Sequence, residues 1–438
     1  MAHLKWHIIS ILGRNQRNNN QLSIILFSHT KVKNLLRAFV VLCEFLGARM
    51  ILVDKPYLSD FLKKTSIKFD IPIVDTEAAR DFDLGASDNL ITEKDAKSWL
   101  RADADARIYT NSENAIGWIT ENLAFTDLPA KIEVFKNKAK FRELMRPMLP
   151  DFYFQEVALS KLDDLIIDEI PLPFIIKPNV GFFSLGVHKV STVDEWNEVK
   201  AAIKAETAQK DKLYPTEVLN TTTFIIEENI DGEEYAFDAY FDENGSPIIL
   251  GIYKHLFSSA NDVSDRIYIT SKEVIEENLS DFTNWLQGIG NLAKMSNFPV
   301  HVEVRRTEAS EIAPIEVNPL RFGGWCTTAD MTAAAYGFNP YLYYFENKHP
   351  NWDEILSTRA GKLYSLVVLD NSTGYSGEEI TKFDYDALLA TFENPLELRK
   401  IDYKEFPVFG FLFLETREEN FGELERILKS NLKEFAKT

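Results

Sequence analysis

A chain of 438 residues with 45% hydrophobic side chains can bury more than one core, so two or three domains with a cleft between them are expected. Its 48 basic against 67 acidic side chains leave a net charge of −19, which argues against nucleic acid as a partner. Only Cys43 and Cys326 are present, without a CxxC, so neither a disulfide framework nor a zinc knuckle is indicated and a reducing, cytoplasmic setting fits; no apolar run nears the roughly 20 residues that span a bilayer.

Residues 1–20, with Asn18-Asn19-Asn20, read as a flexible extension. The stretch 1–43 holds six Lys or Arg and no Asp or Glu, as transit peptides do, but Ile8–Leu12 is too short for a secretory segment. Leu22–Phe27 reads as a buried strand. Leu35, Leu36, Phe39, Val40, Cys43 and Leu46 follow at helical spacing with Gly47 as the stop, and Arg49–Asp54 is the next strand. Strand, helix and strand make a βαβ unit, so residues 21–128 are expected to form an open α/β domain. Its first loop lacks GxGxxG, so dinucleotide binding has no support. Ile71–Asp75 and Asp105–Thr110 are further strand candidates; Glu93–Ala106, Ser112–Leu123 and Phe135–Met148 are helix candidates.

From Pro171 the texture changes to paired strands. Pro173–Val190 reads as strand, loop, strand, and a helix at Val193–Gln209 follows. Thr223–Ile230, Glu234–Asp242 and Pro247–Lys254 are strands, separated by Asp231-Gly232 and Asn244-Gly245 turns. Ser258–Ile269 reads as a loop and Val274–Met295 as a helix. After residue 325 come helices near Thr328–Tyr336 and Pro340–Asn347. A small C-terminal α/β lobe over 346–438 then has strands Lys362–Leu369 and Pro407–Leu414 and an amphipathic helix Phe421–Phe435.

Three stretches carry chemistry. His301–Gly324 reads as an antiparallel hairpin centred between Ala309 and Ser310, which sets Glu303 opposite Glu316 and His301 opposite Asn318, all on one face. Two carboxylates at roughly 5 Å repel by on the order of 3 kcal/mol at an effective dielectric near 20. Hard oxygen donors on a rigid ribbon suit Mg2+, with Mn2+ as an alternative; a solvated acidic strand face is the other reading. Gly181-Phe-Phe-Ser-Leu-Gly186 has phosphate-loop spacing, but Val187-His188 replaces the Lys-Ser or Lys-Thr of a Walker A motif. Its backbone and the Ser184 hydroxyl can still meet phosphate oxygens, Gly186 allows close approach, and Lys177 adds a point charge; a ligand-free hairpin is equally compatible. In Ile226–Tyr235 an apolar strand runs into carboxylates: the backbone of Glu228 and Ile230 can pair with a purine edge and Glu234 can accept from ribose hydroxyls, or the run is an ordinary charged strand end.

In this order the three stretches resemble the ATP-grasp superfamily of carboxylate–amine ligases over roughly residues 130–330. A Lys after apolar strand residues, a Gly/Ser loop, an E-x-x-I-x-G-x-E hinge, H-x-E and I-E-V-N-P correspond to Lys177, Gly181–Gly186, Glu227–Glu234, His301–Glu303 and Ile315–Pro319. The resemblance implies an ATP-grasp fold of two α+β subdomains over 129–345. Lys140, with Lys138 as the competing candidate, and Lys177 would hold ATP phosphates. Glu227 and the backbone through Ile230 would hold adenine, Glu234 the ribose, and Lys254 a further place in the nucleotide pocket. Glu303, Glu316 and Asn318 would bind Mg2+. Arg321 would face the γ-phosphate or the substrate carboxylate, although Leu320 sets it one residue later than in many relatives; His301 is a catalytic or a structural residue. The implied reaction forms an acyl phosphate from ATP and a small carboxylate and passes it to an amine, amino acids being the family-level expectation. An ATP-grasp small-molecule kinase and a non-catalytic nucleotide-binding regulator are the alternatives. A homodimer is an expectation of the resemblance alone.

Overall fold

A four-stranded parallel sheet opens the described part of the chain. Its strands, β1 (Arg49–Leu52), β2 (Ile73–Val74), β3 (Leu90–Ile91) and β4 (Arg107–Thr110), lie in the order β3-β2-β1-β4. Parallel neighbours need crossovers, and helices Asp60–Lys68, Glu77–Asp81 and Glu93–Ala102 supply them. Each begins where Ser59, Thr76 or Thr92 accepts a backbone N–H of the first turn. This computed structural model describes residues 48–84, 89–181, 186–210, 220–259 and 265–438. The expected extension 1–20, the strand Leu22–Phe27 and the helix ending at Leu46 lie outside the described residues.

The single helix expected over Phe135–Met148 is two, Leu128–Lys136 and Lys138–Met145. Asn137 between them is extended, and its side chain accepts the Lys140 N–H to start the second helix. A small antiparallel sheet follows, β5 (Phe154–Ala158), β6 (Phe174–Val180), β7 (His188–Val190) and β8 (Asn220–Glu228), ordered β5-β8-β6-β7. Phe174, Ile176, Phe224 and Ile226 pack with Trp196 and Ile203 of helix Trp196–Lys210 in one core. Period-two alternation therefore sends Lys177 and Glu227 to the opposite face.

An eight-stranded sheet contains β9 (Glu233–Phe241), β10 (Pro247–Leu256), β11 (Ile267–Ser271), β12 (Phe298–Arg306), β13 (Ile312–Pro319) and β14 (Lys362–Asp370), to which β16 (Pro395–Lys400) and β17 (Val408–Arg417) are added; its order is β13-β12-β9-β10-β11-β14-β17-β16. Between these come β15 (Lys382–Phe383) and, at the chain end, β18 (Ala436–Lys437), paired as a ribbon. Helix Lys272–Ala293 covers one face of the large sheet, with Phe282 centred 5.5 Å from Tyr235 and 5.1 Å from Phe237. Strands of the C-terminal segment continue this sheet and build a second core with Leu424 and Ile427 of helix Gly422–Lys429. That helix is shorter than the expected Phe421–Phe435, because Ser430 leaves it in an extended conformation with φ −74° and ψ 142°. Mixed α/β architecture was thus readable in advance; part of the expected loop 258–269 is β11.

Candidate active site

The hairpin β12–β13 forms in the expected register: His301 pairs with Asn318, Val302 with Val317 and Glu303 with Glu316. The register then shifts, so that Val304 opposes Pro314 and Ile315 bulges. The Ile315 carbonyl accepts from Arg142 Nη2 at 3.1 Å. Across β9 the same face continues through Asp238 opposite His301 and Glu234 opposite Arg305. The helix-covered face is the other one.

Two cationic side chains, Lys138 and His301, flank the two carboxylates. Lys138 Nζ lies 3.2 Å from Glu316 Oε2 and donates to the Gly181 carbonyl at 3.2 Å. His301 Nε2 lies 3.5 Å from Glu303 Oε1, and its Nδ1 is 2.8 Å from Asp238 Oδ1. Burial pulls the His301 pKa down, but Asp238 and Glu303 overcome this and raise it to about 9. Burial and the neighbouring Glu316 charge push the Glu303 carboxyl upward; Glu316, facing Lys138 and Lys136, is held down despite its burial. One carboxylate is thus short of positive charge, which is the electrostatic state a divalent cation relieves. Asn318 Nδ2 donates to Glu316 Oε1 at 3.0 Å, which leaves its amide oxygen as a hard donor. Among the described residues no group of three or more His, Cys, Asp or Glu is placed to hold a metal ion; the hard oxygen donors this face offers are the Glu303 and Glu316 carboxylates and the Asn318 amide oxygen, of the chemical kind that Mg2+ accepts.

Lys177 Nζ reaches Glu227 Oε1 at 2.5 Å, and Arg142 Nε reaches Glu227 Oε2 at 2.9 Å. Burial alone would raise Glu227; the Arg142 and Lys177 charges hold it at about 2 instead. Burial lowers the Lys177 pKa, and Glu227 only partly opposes it. Glu227 was expected to hold adenine, but its carboxylate is taken up by these two cations. At the hinge, Glu228 N–H donates to the Tyr153 carbonyl at 3.1 Å and Ile230 O accepts from Arg305 Nη1 at 2.8 Å. Those two groups are paired within the chain. Glu234 accepts from Arg305 Nε and Nη2 at 3.1 and 2.9 Å and meets His255 Nδ1 at 3.1 Å.

Two expected cations point elsewhere. Lys140 is exposed and pairs with Glu133 at 2.8 Å, whereas Lys138 is the lysine of that helix that reaches Glu316. Lys254 pairs with Glu233 and opposes Tyr235 on the helix-covered face; the neighbouring His255 takes the site face. Ser184 lies outside the described residues. Gly186 has φ 74°, a conformation L side chains rarely adopt.

Leu320, with φ 60°, turns the chain so that its carbonyl accepts Thr110 N–H at 2.7 Å at the end of β4. Arg321 consequently meets Glu113, just after β4, with Nε and Nη2 at 3.2 and 2.6 Å from Oε1; Lys136 binds the other carboxylate oxygen. Asp238 anchors the following turn, accepting Gly323 N–H at 3.0 Å and the Thr328 hydroxyl at 2.5 Å. Trp325 and Cys326 then adopt left-handed φ values of 55° and 57°. Arg399 Nη1 lies 3.5 and 3.4 Å from their carbonyls, and its Nη2 lies 2.5 Å from Asp330.

Sequence reasoning missed Arg142, Asp238, His255, Arg305 and Glu113. Asp238 had a signal, a lone carboxylate inside the apolar run Tyr235–Phe241. Glu113 had another, its place at the carboxyl end of a parallel strand, where open α/β sheets bind ligands. Among the described residues, Arg142 Nη1 and His255 Nε2 are buried without a hydrogen-bond partner. Arg142 Nη1 is thus a buried guanidinium donor left over beside the carboxylate-paired Lys138 and Lys177.

The family model of the ATP-grasp domain matches residues 170–329. Among solved structures, an L-amino acid ligase from Bacillus licheniformis superposes with a TM-score of 0.62 at 17% identity, over 89% of this chain and 98% of that one. An N5-carboxyaminoimidazole ribonucleotide synthetase from Thermotoga maritima gives 0.58 at 13% identity, over 89% and 99%. A biotin carboxylase from Campylobacter jejuni gives 0.57 at 12%, over 86% and 89%. No curated protein sequence matches this chain significantly. No helix among the described residues is long and apolar enough to cross a membrane.

Proposed function

We propose, from the premise that this chain has an ATP-grasp fold, that it is an ATP- and Mg2+-dependent ligase that joins a small carboxylic acid to an amine. A carboxylate oxygen of the acid attacks the γ-phosphorus, the bond to ADP breaks, and an acyl phosphate results. The amine nitrogen then attacks the acyl carbon, phosphate leaves, and the amine proton passes to solvent. The observation that carries this reading is the pairing of Glu303 with Glu316 in register, with Lys138 beside them and Lys177 on the facing small sheet.

Glu303, Glu316 and Asn318 would hold Mg2+, which when bound offsets phosphate charge and aligns the phosphoryl group. Lys138 replaces Lys140 as the proposed phosphate ligand of its helix, and Lys177 is the second. Both ammonium groups now rest on carboxylates, so phosphate binding exchanges one anionic partner for another. Arg142 holds Glu227 in place while Lys177 turns to the nucleotide. Glu228, Ile230 and Glu234 remain the proposed base and ribose contacts, with Arg305 and His255 orienting Glu234. Arg321 is proposed to take the substrate carboxylate once Glu113 yields it. His301, held charged between Asp238 and Glu303, orients the metal-binding carboxylate rather than acting as a base. Catalysis in this reading is positioning and electrostatic stabilisation, without a protein nucleophile. A small carboxylate and an amine, amino acids among them, are the proposed substrates.

The test is product analysis with Mg-ATP, hydroxylamine and a pool of amino acids and small acids. ADP together with a hydroxamate, both lost in Glu316→Ala, supports the ligase. ADP with a stable phosphorylated product indicates a kinase, AMP with pyrophosphate indicates adenylation, and ATP binding without turnover on any pool member indicates a regulator; each of these overturns the proposal.

A further inference from the structure

A neutral side chain, apart from the charged groups already described, joins the elements that carry the two proposed phosphate lysines. Asn179 lies two residues beyond Lys177 in β6 and is buried. Its Oδ1 accepts the Ala139 N–H at 2.8 Å, and its Nδ2 donates to Asn137 Oδ1 and to Glu156 Oε2, each at 3.0 Å. The oxygen and both amide hydrogens are therefore engaged, and a flipped amide would set its oxygen against two acceptors. Glu156 of β5 and Lys177 of β6 both oppose Ile225 of β8, so the amide is braced on the face that carries Lys177.

At the other end of these bonds is the start of helix Lys138–Met145. A helix leaves its first N–H groups without acceptors of its own. Asn137 takes that of Lys140 at 3.0 Å and so starts the helix from within the same segment. Asn179 takes that of Ala139 from 40 residues away. The local cap makes the helix, and the distant one sets where its first residue, Lys138, stands against β6. Lys138 Nζ donates to the Gly181 carbonyl at 3.2 Å, a second tie at the same joint. Phosphate binding by Lys138 would give up that tie, whereas the Asn179 bonds stay. Two cations that share one polyphosphate gain from a spacing fixed before binding, because less freedom is then lost on association. We infer that Asn179 is a positioning residue for ATP: by clasping this helix to the end of β6, it sets the spacing between the Lys138 and Lys177 ammonium groups. This rests on the reading of those two lysines as phosphate ligands.

Calorimetric titration of the full chain with Mg-ATP and with adenosine tests it in a double-mutant cycle. A folded Asn179→Ala chain is expected to bind ATP about fivefold more weakly and adenosine within about twofold of the unaltered chain, a split that general destabilisation does not produce. In a Lys138→Ala background the same substitution should change ATP affinity by less than about twofold, because the spacing no longer matters. Unchanged ATP affinity, an equal loss for adenosine, or a fivefold loss that persists without Lys138 overturns the inference. Should Asn179→Ala fail to fold, Glu156→Gln compared with Glu156→Ala decides. Both remove the same charge from an exposed position, and only glutamine keeps an acceptor for Asn179 Nδ2. ATP should bind about threefold tighter to the glutamine variant, and equal affinities overturn the inference. If Lys138→Ala leaves ATP affinity intact, the phosphate-ligand reading fails and the inference with it; if Lys138→Ala weakens ATP and Asn179→Ala does not, the inference alone fails.

Discussion

Glu113 and Arg321 stand 208 residues apart in sequence and share one ion pair, with Arg321 Nη2 2.6 Å from Glu113 Oε1. The pair joins the end of the parallel sheet to the segment that follows the β12–β13 hairpin. Lys136 completes it, so one buried carboxylate is shared by two cations.

Burial by itself would raise the Glu113 pKa, but Lys136 and Arg321 lower it from 4.5 to about 2. A depressed carboxyl contributes stability that is present above 4.5 and is lost as pH falls through 2, on the order of 3 kcal/mol. Glu113→Gln should lose about 3–5 kcal/mol at pH 7, because two buried cations are left without a counter-charge. Its urea midpoint should also vary less than that of the unaltered chain between pH 4.5 and 2. Equal pH dependence of the two proteins would show that Glu113 is not the titrating partner.

Lys138 and Lys140 separate by exposure and partner. Lys138→Ala should weaken ATP binding at least tenfold, about 1.4 kcal/mol, and leave adenosine affinity unchanged. Lys140→Ala removes an exposed pair and should change ATP affinity by no more than about threefold. Calorimetric titration checks both, and a larger loss at Lys140 would reverse the assignment.

The raised Glu303 carboxyl, pushed up by burial and by Glu316, makes metal binding compete with a proton. Affinity for Mn2+ should tighten as pH rises above the ordinary carboxylate value of 4.5 and level off once Glu303 is ionised. Electron paramagnetic resonance of free Mn2+ reads this directly. Glu303→Gln should bind more weakly with a flatter pH profile; a profile as steep as the original would assign the proton elsewhere.

Arg399 and Asp330 form a buried pair at 2.5 Å, and the same guanidinium approaches the carbonyls of the two left-handed residues Trp325 and Cys326. Arg399→Ala should destabilise by about 3–5 kcal/mol, since Asp330 is left buried without its counter-charge. A double-mutant cycle with Asp330→Asn should give a coupling above about 1.5 kcal/mol in urea unfolding. Additive losses would mean that the two side chains act independently.

The hairpin was legible from sequence because period-two alternation and a short turn leave one register in which Glu303 meets Glu316. The Ile315 bulge was not, since Arg142, which binds that carbonyl, comes from a helix 173 residues away. Lys140 was preferred to Lys138 on what read as one continuous helix; the break at Asn137 starts a new helix whose first residue, Lys138, reaches Glu316.

The sequence by itself determined the hairpin's register and chemistry-bearing residues and many of the strands and helices, because alternation, caps and turns act within a few residues. Tertiary structure alone decided which face of β9 and β10 is the site: helix Lys272–Ala293 covers the side that carries Tyr235, Phe237 and Lys254 and leaves Glu234, Asp238 and His255 on the other. It also decided the partners of Glu227, Glu113 and Arg399, since a buried charge takes whichever counter-ion the packing of distant segments brings within reach.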